Sequence, residues 1–94
     1  MRDFRKLDIW IESRKLVKDI YLLTNQLPNT EKFGLISQMN RCSISIPSNI
    51  AEGCAKDSQK DFIRFLQISL GSAFELETQM ILCIDLEFLN KKKF

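Results

Sequence analysis

Histidine is absent from this 94-residue chain, and glycine and proline are scarce, with three and two residues respectively. The missing imidazole removes the side chain that most often acts as a general base or metal ligand near neutral pH. The scarcity of glycine and proline excludes collagen-like and low-complexity sequences. With 45% hydrophobic and 28% charged residues, the composition predicts one globular domain over residues 1–94, near the lower size limit for an independent core.

The three cysteines, Cys42, Cys54 and Cys83, are widely spaced and lack a CxxC motif. Because no histidine accompanies them, we expect buried thiols in a reducing cytoplasm rather than metal ligands. The N-terminus has no apolar core of a signal peptide, and the longest apolar run, residues 80–84, is far too short to span a membrane. We therefore expect a cytoplasmic protein with no membrane segment.

Catalytic motifs are also missing from the sequence. There is no glycine-rich phosphate loop and no nucleophile elbow. The thiols have no basic side chain of the histidine type to activate them. Glu75 and Glu77, two positions apart on a helix, lie about 200° apart around its axis and cannot converge on one point. The sequence therefore predicts a protein that is not an enzyme and needs no cofactor.

The charges are unevenly distributed, although the formal net charge is only +2. No basic residue occurs from Phe65 to Asn90, a range with four acidic side chains, Glu75, Glu77, Asp85 and Glu87. Five cations lie near the N-terminus or on the outer face of the first predicted helix, namely Arg5, Lys6, Arg14, Lys15 and Lys18. They form a candidate nucleic-acid surface, because phosphate contacts add up when several copies of a chain assemble. The alternative is a solvated helix face.

Hydrophobic periodicity predicts three helices, over about residues 7–25, 30–53 and 58–89. Pro47 removes one backbone donor from the second helix, but the apolar positions keep their phase across it, which favours one kinked helix ending at Gly53. Ser58, followed three residues later by Asp61, resembles a capping box at the start of the third. Gly71 inside the third helix suggests the close approach of another backbone.

The third predicted helix has an apolar sector nearly half its circumference wide, with Glu77 in its middle. The sector contains Phe62, Phe65, Leu66, Leu70, Ala73, Phe74, Met80, Ile81 and Ile84. A second strip contains Ile68, Leu82, Leu86 and Leu89, so the helix must be covered on more than one side. A lone buried carboxylate is costly, so we predict Arg41 of the second helix as the partner of Glu77, unless Glu77 lies at a solvated rim. The candidate polar contacts of the core or an oligomer interface are Arg41, Asn49, Glu52 and Glu77.

Two runs of sequence carry a resemblance to a known family. The first extends from Leu27 to Gly53 and includes the string SIPSNIAEG at 45–53. The second extends from Phe62 to Gln79 and includes GSAFELETQ at 71–79. Together they resemble the four-helix-bundle proteins encoded in intervening sequences of bacterial 23S ribosomal RNA genes. The accessory variability determinant of diversity-generating retroelements is similar to the same group.

The resemblance implies an all-α antiparallel helical bundle of the four-helix type that assembles into a homopentamer and has no enzymatic activity. This chain supplies three long helices, and the fourth is absent or truncated. For the retroelement relatives, the resemblance implies binding of nucleic acid and of a reverse transcriptase through a basic surface. Two functions stay open: an RNA- or DNA-binding accessory protein, and a structural or protein-interaction ring without nucleic acid.

Overall fold

The computed structural model describes residues 2–89, which form three α-helices and no β-strand. Helix α1 spans Asp8–Thr24, α2 spans Leu35–Cys54 and α3 spans Gln59–Asp85, with short 3₁₀ helices at Phe4–Lys6 and Asn29–Glu31. The predicted all-α bundle with three long helices is confirmed. None of the helices within these residues is long and apolar enough to cross a membrane.

Helix α2 is the central element, because both α1 and α3 pack against it. Helix α1 runs antiparallel to α2, with Thr24 near its end bonded to Asn40 near the start of α2. Helix α3 also runs antiparallel to α2, and its successive contacts pair Phe65 with Gly53, Ser69 with Ile46, and Ser72 with Cys42. The result is a rod with extents of 44 × 22 × 19 Å.

The helix ends differ from the predicted boundaries at three places. Residues 30–34 form the end of a 3₁₀ helix and a turn, and α2 begins only at Leu35. Helix α2 continues through Pro47 and also through Gly53, which is therefore not the stop signal. Helix α3 ends at Asp85, four residues early. The predicted cap at its start is confirmed, since Ser58 Oγ accepts a hydrogen bond from the backbone N–H of Asp61 at 3.1 Å.

The inward face of α3 is centred on Leu76, which is 2% exposed, rather than on Glu77. Adjacent helical residues lie about 100° apart, so the predicted inward face of α3 differs from the observed one by a rotation of about 100° around the helix axis. The predicted core residues Leu70, Phe74 and Ile81 are 55%, 62% and 51% exposed. Small and polar side chains take their place at the contact with α2, where Ser69 donates a hydrogen bond to the Ile46 carbonyl at 2.9 Å.

The two glycines inside helices have different surroundings. A Cβ added to Gly53 would lie 2.8 Å from the Cβ of Phe65 and 3.3 Å from the carbonyl oxygen of Phe62. The absence of a side chain at Gly53 thus lets α3 approach α2. A Cβ at Gly71 would meet nothing within 4 Å. Within residues 2–89, no backbone approaches Gly71, so the predicted contact there stays a prediction about another chain.

Alanine at Gly53 is expected to destabilise the protein by about 1–3 kcal/mol, because neither a backbone carbonyl nor a Cβ can yield without displacing α3. The matched control is alanine at Gly71, which is expected to stabilise by up to about 1 kcal/mol through helix propensity alone. Urea unfolding followed by circular dichroism measures both. Equal effects at the two positions would contradict the close contact at Gly53.

Cys42, Cys54 and Cys83 are all buried and free, as predicted. Burial raises the pKa of the Cys42 thiol, and the nearby Glu75 carboxylate raises it further. Burial, followed by the Glu31 carboxylate, raises the pKa of Cys83. Both thiols therefore stay protonated in the folded chain at pH values where an unfolded chain begins to ionise.

Unfolding returns the two thiols to their ordinary pKa, so the unfolded state loses protons first and is favoured as the pH rises above about 8.5. We expect the free energy of unfolding to fall more steeply between about pH 8 and pH 10 in the native protein than in a Cys42→Ala/Cys83→Ala variant. Urea unfolding at each pH measures this. Parallel pH profiles would show that the thiols make no contribution.

Candidate functional site

The five cations of the predicted nucleic-acid surface are all exposed, but their contacts differ. Lys15 pairs with Glu12 at 3.3 Å. Arg5 pairs loosely with Asp3, at 3.6 Å between Nη1 and Oδ1. Lys6 and Lys18 make no side-chain hydrogen bond, ion pair or ring contact within residues 2–89. The structure thus separates Lys15 from Arg5 and Arg14, whose surroundings are aromatic.

Phe4, Arg5, Trp10 and Arg14 form a continuous cation–aromatic surface. The rings of Phe4 and Trp10 meet edge to face, with centroids 5.1 Å apart and planes at 63°. The guanidinium of Arg5 lies 4.5 Å from the Phe4 centroid, and that of Arg14 lies 5.6 Å from the Trp10 centroid. Two cations therefore flank a pair of rings in edge-to-face contact, an arrangement that can hold both phosphates and bases.

A shallow apolar groove of about 390 Å³ adjoins this surface between α1 and α2. Its walls include Phe4, Trp10 and Arg14, together with Val17, Ile44, Pro47, Ser48 and Ala51. Phe4 and Trp10 are not among the site residues predicted from the sequence. Aromatic and basic residues occur together in FRKLDIW at 4–10, but the rings of Phe4 and Trp10 meet only because the 3₁₀ helix contacts α1.

A second group of cations and rings surrounds the turn between α2 and α3. The Arg2 guanidinium lies 3.9 Å from the Phe62 centroid and also donates a hydrogen bond to the Lys56 carbonyl. Lys56 and Arg64 lie 5.1 and 5.4 Å from the Phe65 centroid. These contacts tie the N-terminal residues to the turn, and they extend the cationic surface along that end of the rod.

Arg41 does not contact Glu77, and that prediction is wrong. Both side chains are exposed. Because α3 is rotated about its axis relative to the predicted orientation, Glu77 does not lie on the side of α3 that faces Arg41. Arg41 instead lines a polar pocket of about 380 Å³ between α2 and α3, opposite Glu75. The polar pocket is lined by Gln38, Arg41, Cys42, Ser45, Ser72, Glu75 and Gln79.

Asn49 and Glu52, the other two predicted polar contacts, lie on the same side of α2. Asn49 is half-buried, and its Nδ2 donates to the Ser45 carbonyl at 2.8 Å and to Ser45 Oγ at 3.0 Å. Glu52 is exposed and makes no side-chain contact within residues 2–89. Asn49 therefore holds Ser45, which lines the polar pocket, whereas Glu52 does not line it. In the same range no acidic or cysteine side chains cluster as a metal site would require.

Gln79 is the one buried polar side chain of the described residues left with an unsatisfied atom. It is 7% exposed, and its Oε1 has no hydrogen-bond donor. An unpaired buried polar group of this kind costs about 1–3 kcal/mol, so native proteins rarely keep one without a reason. Gln79 also lines the polar pocket.

Helix α3 exposes apolar side chains on both flanks of its buried face. One flank, here the α1-side strip, consists of Ile63, Leu70, Phe74 and Ile81, which are 45–62% exposed. The opposite flank, the pocket-side strip, consists of Ile68, Leu82 and Leu86, which are 43–54% exposed. A further groove of about 400 Å³ lies beside the α1-side strip, between α1 and α3. A monomer rarely leaves this much aliphatic and aromatic surface in contact with water.

A known protein family matches most of the chain. No curated protein matches the chain. Residues 5–94 match the family described as 23S rRNA-intervening sequence protein. These residues include all three α-helices, the polar pocket and the cation–aromatic surface apart from Phe4. The chain therefore belongs to the 23S rRNA-intervening sequence protein family.

Proposed function

We propose that the chain is a non-enzymatic, homo-oligomeric accessory protein that binds single-stranded nucleic acid, RNA in the first place, through its cation–aromatic surface. The observation that carries this proposal is the placement of Arg5 and Arg14 on either side of the Phe4–Trp10 ring pair. Stacking of a base on an aromatic ring contributes about 1–3 kcal/mol, and nearby cations add phosphate contacts. The exposed groove beside Trp10 offers room for an unstacked base.

The distribution of charge supports the same face. From residue 65 to residue 90 every charged side chain is acidic, so the second half of α3 repels a polyanion. The cations lie instead on α1, on the 3₁₀ helix before it and around the turn between α2 and α3. One chain supplies few phosphate contacts, and several copies around one axis would add them.

Self-association is proposed to occur through α3, with a second copy covering its apolar flanks. The α1-side strip has positions 63, 70, 74 and 81, the spacing of a heptad seam, which is suited to packing against another helix. No basic residue of α3 lies C-terminal to Arg64, although Glu75, Glu77 and Asp85 do. A second copy could therefore supply basic partners for these carboxylates from its α1. A homopentamer is the assembly that the family resemblance implies.

Binding of a single-stranded oligouridine RNA is expected to quench the fluorescence of Trp10, the sole tryptophan of the chain. Affinity should fall steeply between about 50 and 200 mM salt, because each released counterion contributes to the slope. Arg14→Gln should weaken binding and reduce the slope by about 0.7. Fluorescence titration measures all three quantities, and single-stranded DNA of equal length tests the preference for RNA.

Lys15→Gln is the matched control, because it removes the same charge one residue away from a side chain paired with Glu12. We expect Lys15→Gln to bind nearly as well as the native protein. An equal loss in both variants would indicate general electrostatic attraction rather than this surface. No binding at about 50 mM salt would remove the nucleic-acid proposal and favour a structural or protein-interaction ring.

Replacing Phe74 by glutamate is expected to reduce the oligomer to smaller species, because the side chain is 62% exposed in one protomer and would carry charge into the proposed interface. Light scattering coupled to size exclusion measures the mass. Asn29→Asp, which adds the same charge at an exposed polar position outside α3, should leave the mass unchanged. A native protein that is monomeric at high concentration would contradict the proposed self-association.

A further inference from the structure

The polar pocket between α2 and α3 has a floor that is held by hydrogen bonds from both helices. The hydroxyls of Ser45 and Ser72 lie 2.8 Å apart, and Asn49 Nδ2 donates to Ser45 Oγ at 3.0 Å. The Cys42 thiol donates to the Ser72 carbonyl, with 3.0 Å between sulfur and oxygen. Because these bonds link the two helices, the shape of the floor is fixed by the fold itself.

The remaining side chains of the polar pocket are unpaired. Gln38, Arg41 and Glu75 are exposed at its rim, whereas Gln79 is buried. Within residues 2–89, none of these four side chains takes part in a hydrogen bond or ion pair. The amide oxygen of Gln79 is buried and lacks a donor. Four polar side chains from two helices therefore converge on one cavity with their bonding capacity unused.

The charges of the rim indicate the kind of molecule that would use this capacity. Arg41 and Glu75 line the same cavity but form no ion pair within 4.0 Å. A ligand with a single charge would satisfy one and leave the other unpaired, and a polyanion would be repelled by Glu75. A small zwitterion satisfies both at once.

We propose that the polar pocket binds a free α-amino acid, whose carboxylate accepts hydrogen bonds from Arg41 and whose ammonium donates to Glu75. A volume of about 380 Å³ falls within the range of small-molecule sites and leaves room for a side chain.

The surroundings favour an amino acid with an apolar side chain. Ile68 and Leu82 lie seven residues before and after Glu75, so they share its face of α3. They are 46% and 43% exposed, and each lies one helical turn beyond a lining residue of the polar pocket, Ser72 or Gln79. This site is separate from the cation–aromatic surface, and the inference goes beyond the proposed nucleic-acid binding without depending on it.

Isothermal titration calorimetry with a set of apolar L-amino acids tests the proposal on the full chain. We expect at least one to bind with one site per chain. Its N-acetyl derivative, which lacks the ammonium, and its amide, which lacks the carboxylate, should each bind at least tenfold more weakly. Failure of every amino acid to bind, or equal binding of the blocked derivatives, would overturn the proposal.

Three single substitutions at exposed positions locate the site. Arg41→Gln and Glu75→Gln are each expected to weaken binding at least tenfold, because each removes one charge partner. The matched control is Glu77→Gln, two residues from Glu75 on the same helix but outside the polar pocket, which should keep the native affinity. Circular dichroism verifies the fold of each variant. Native affinity in both pocket variants, or an equal loss in the control, would place any binding elsewhere and overturn the proposal.

The same variants separate this proposal from the proposed function. RNA should quench the fluorescence of Trp10 in the Arg41→Gln and Glu75→Gln variants as it does in the native protein, because neither residue belongs to the cation–aromatic surface. Loss of RNA binding together with loss of amino-acid binding would indicate a shared site and overturn the separate pocket. If the native protein binds no RNA, the proposed nucleic-acid function fails, and calorimetry alone then tests amino-acid binding in the polar pocket.

Discussion

The contact between α2 and α3 depends on small side chains at the points of closest approach. Gly53 admits the Cβ of Phe65, and Ser69 is short enough to reach the carbonyl of Ile46. Where two helices approach this closely, at least one of the facing side chains is small. The buried face of α3 consists of Leu76 and Cys83 with Ser69 and Gln79, and several of its large apolar side chains lie on the flanks.

This arrangement has consequences for both flanks of α3. The polar pocket arises because Ser72, Glu75 and Gln79 face the polar side chains of α2, Gln38, Arg41 and Ser45. The α1-side strip arises because Leu70 and Phe74 lie beyond the reach of α2 and are not covered by α1. Gly71 lies on the outer surface of the same helix, where residues 2–89 offer no reason for its lack of a side chain.

The functional surfaces are separated by charge as well as by position. Cations and aromatic rings gather around the 3₁₀ helix, the first turns of α1 and the turn after α2, whereas the C-terminal half of α3 is acidic. Each exposed cation–π contact contributes only about 0.5–1 kcal/mol to stability. The main effect of these contacts is therefore to hold the rings and the cations in one orientation. A protein arranged in this way can associate through α3 and keep its cationic end free for a polyanion.

Much of the fold followed from local pattern. The number of helices, the burial of the three thiols and the serine cap of α3 could be predicted because periodicity and capping depend on residues within one or two turns. The apolar phase predicted to continue across Pro47 is also confirmed, because Cys42, Ile46 and Ile50 are all buried. The predicted start of α2 is wrong, because Asn29–Glu31 bonds locally as a 3₁₀ helix before α2 begins at Leu35.

The sequence by itself determined the helical elements, the absence of histidine and the separation of charge along the chain. Only the tertiary structure decided which face of α3 turns inward, because apolar residues surround much of that helix and periodicity cannot distinguish a core from a flank. It thereby placed Arg41 opposite Glu75 rather than Glu77. It also joined Phe4 to Trp10, since that contact depends on how the N-terminal 3₁₀ helix folds back on α1.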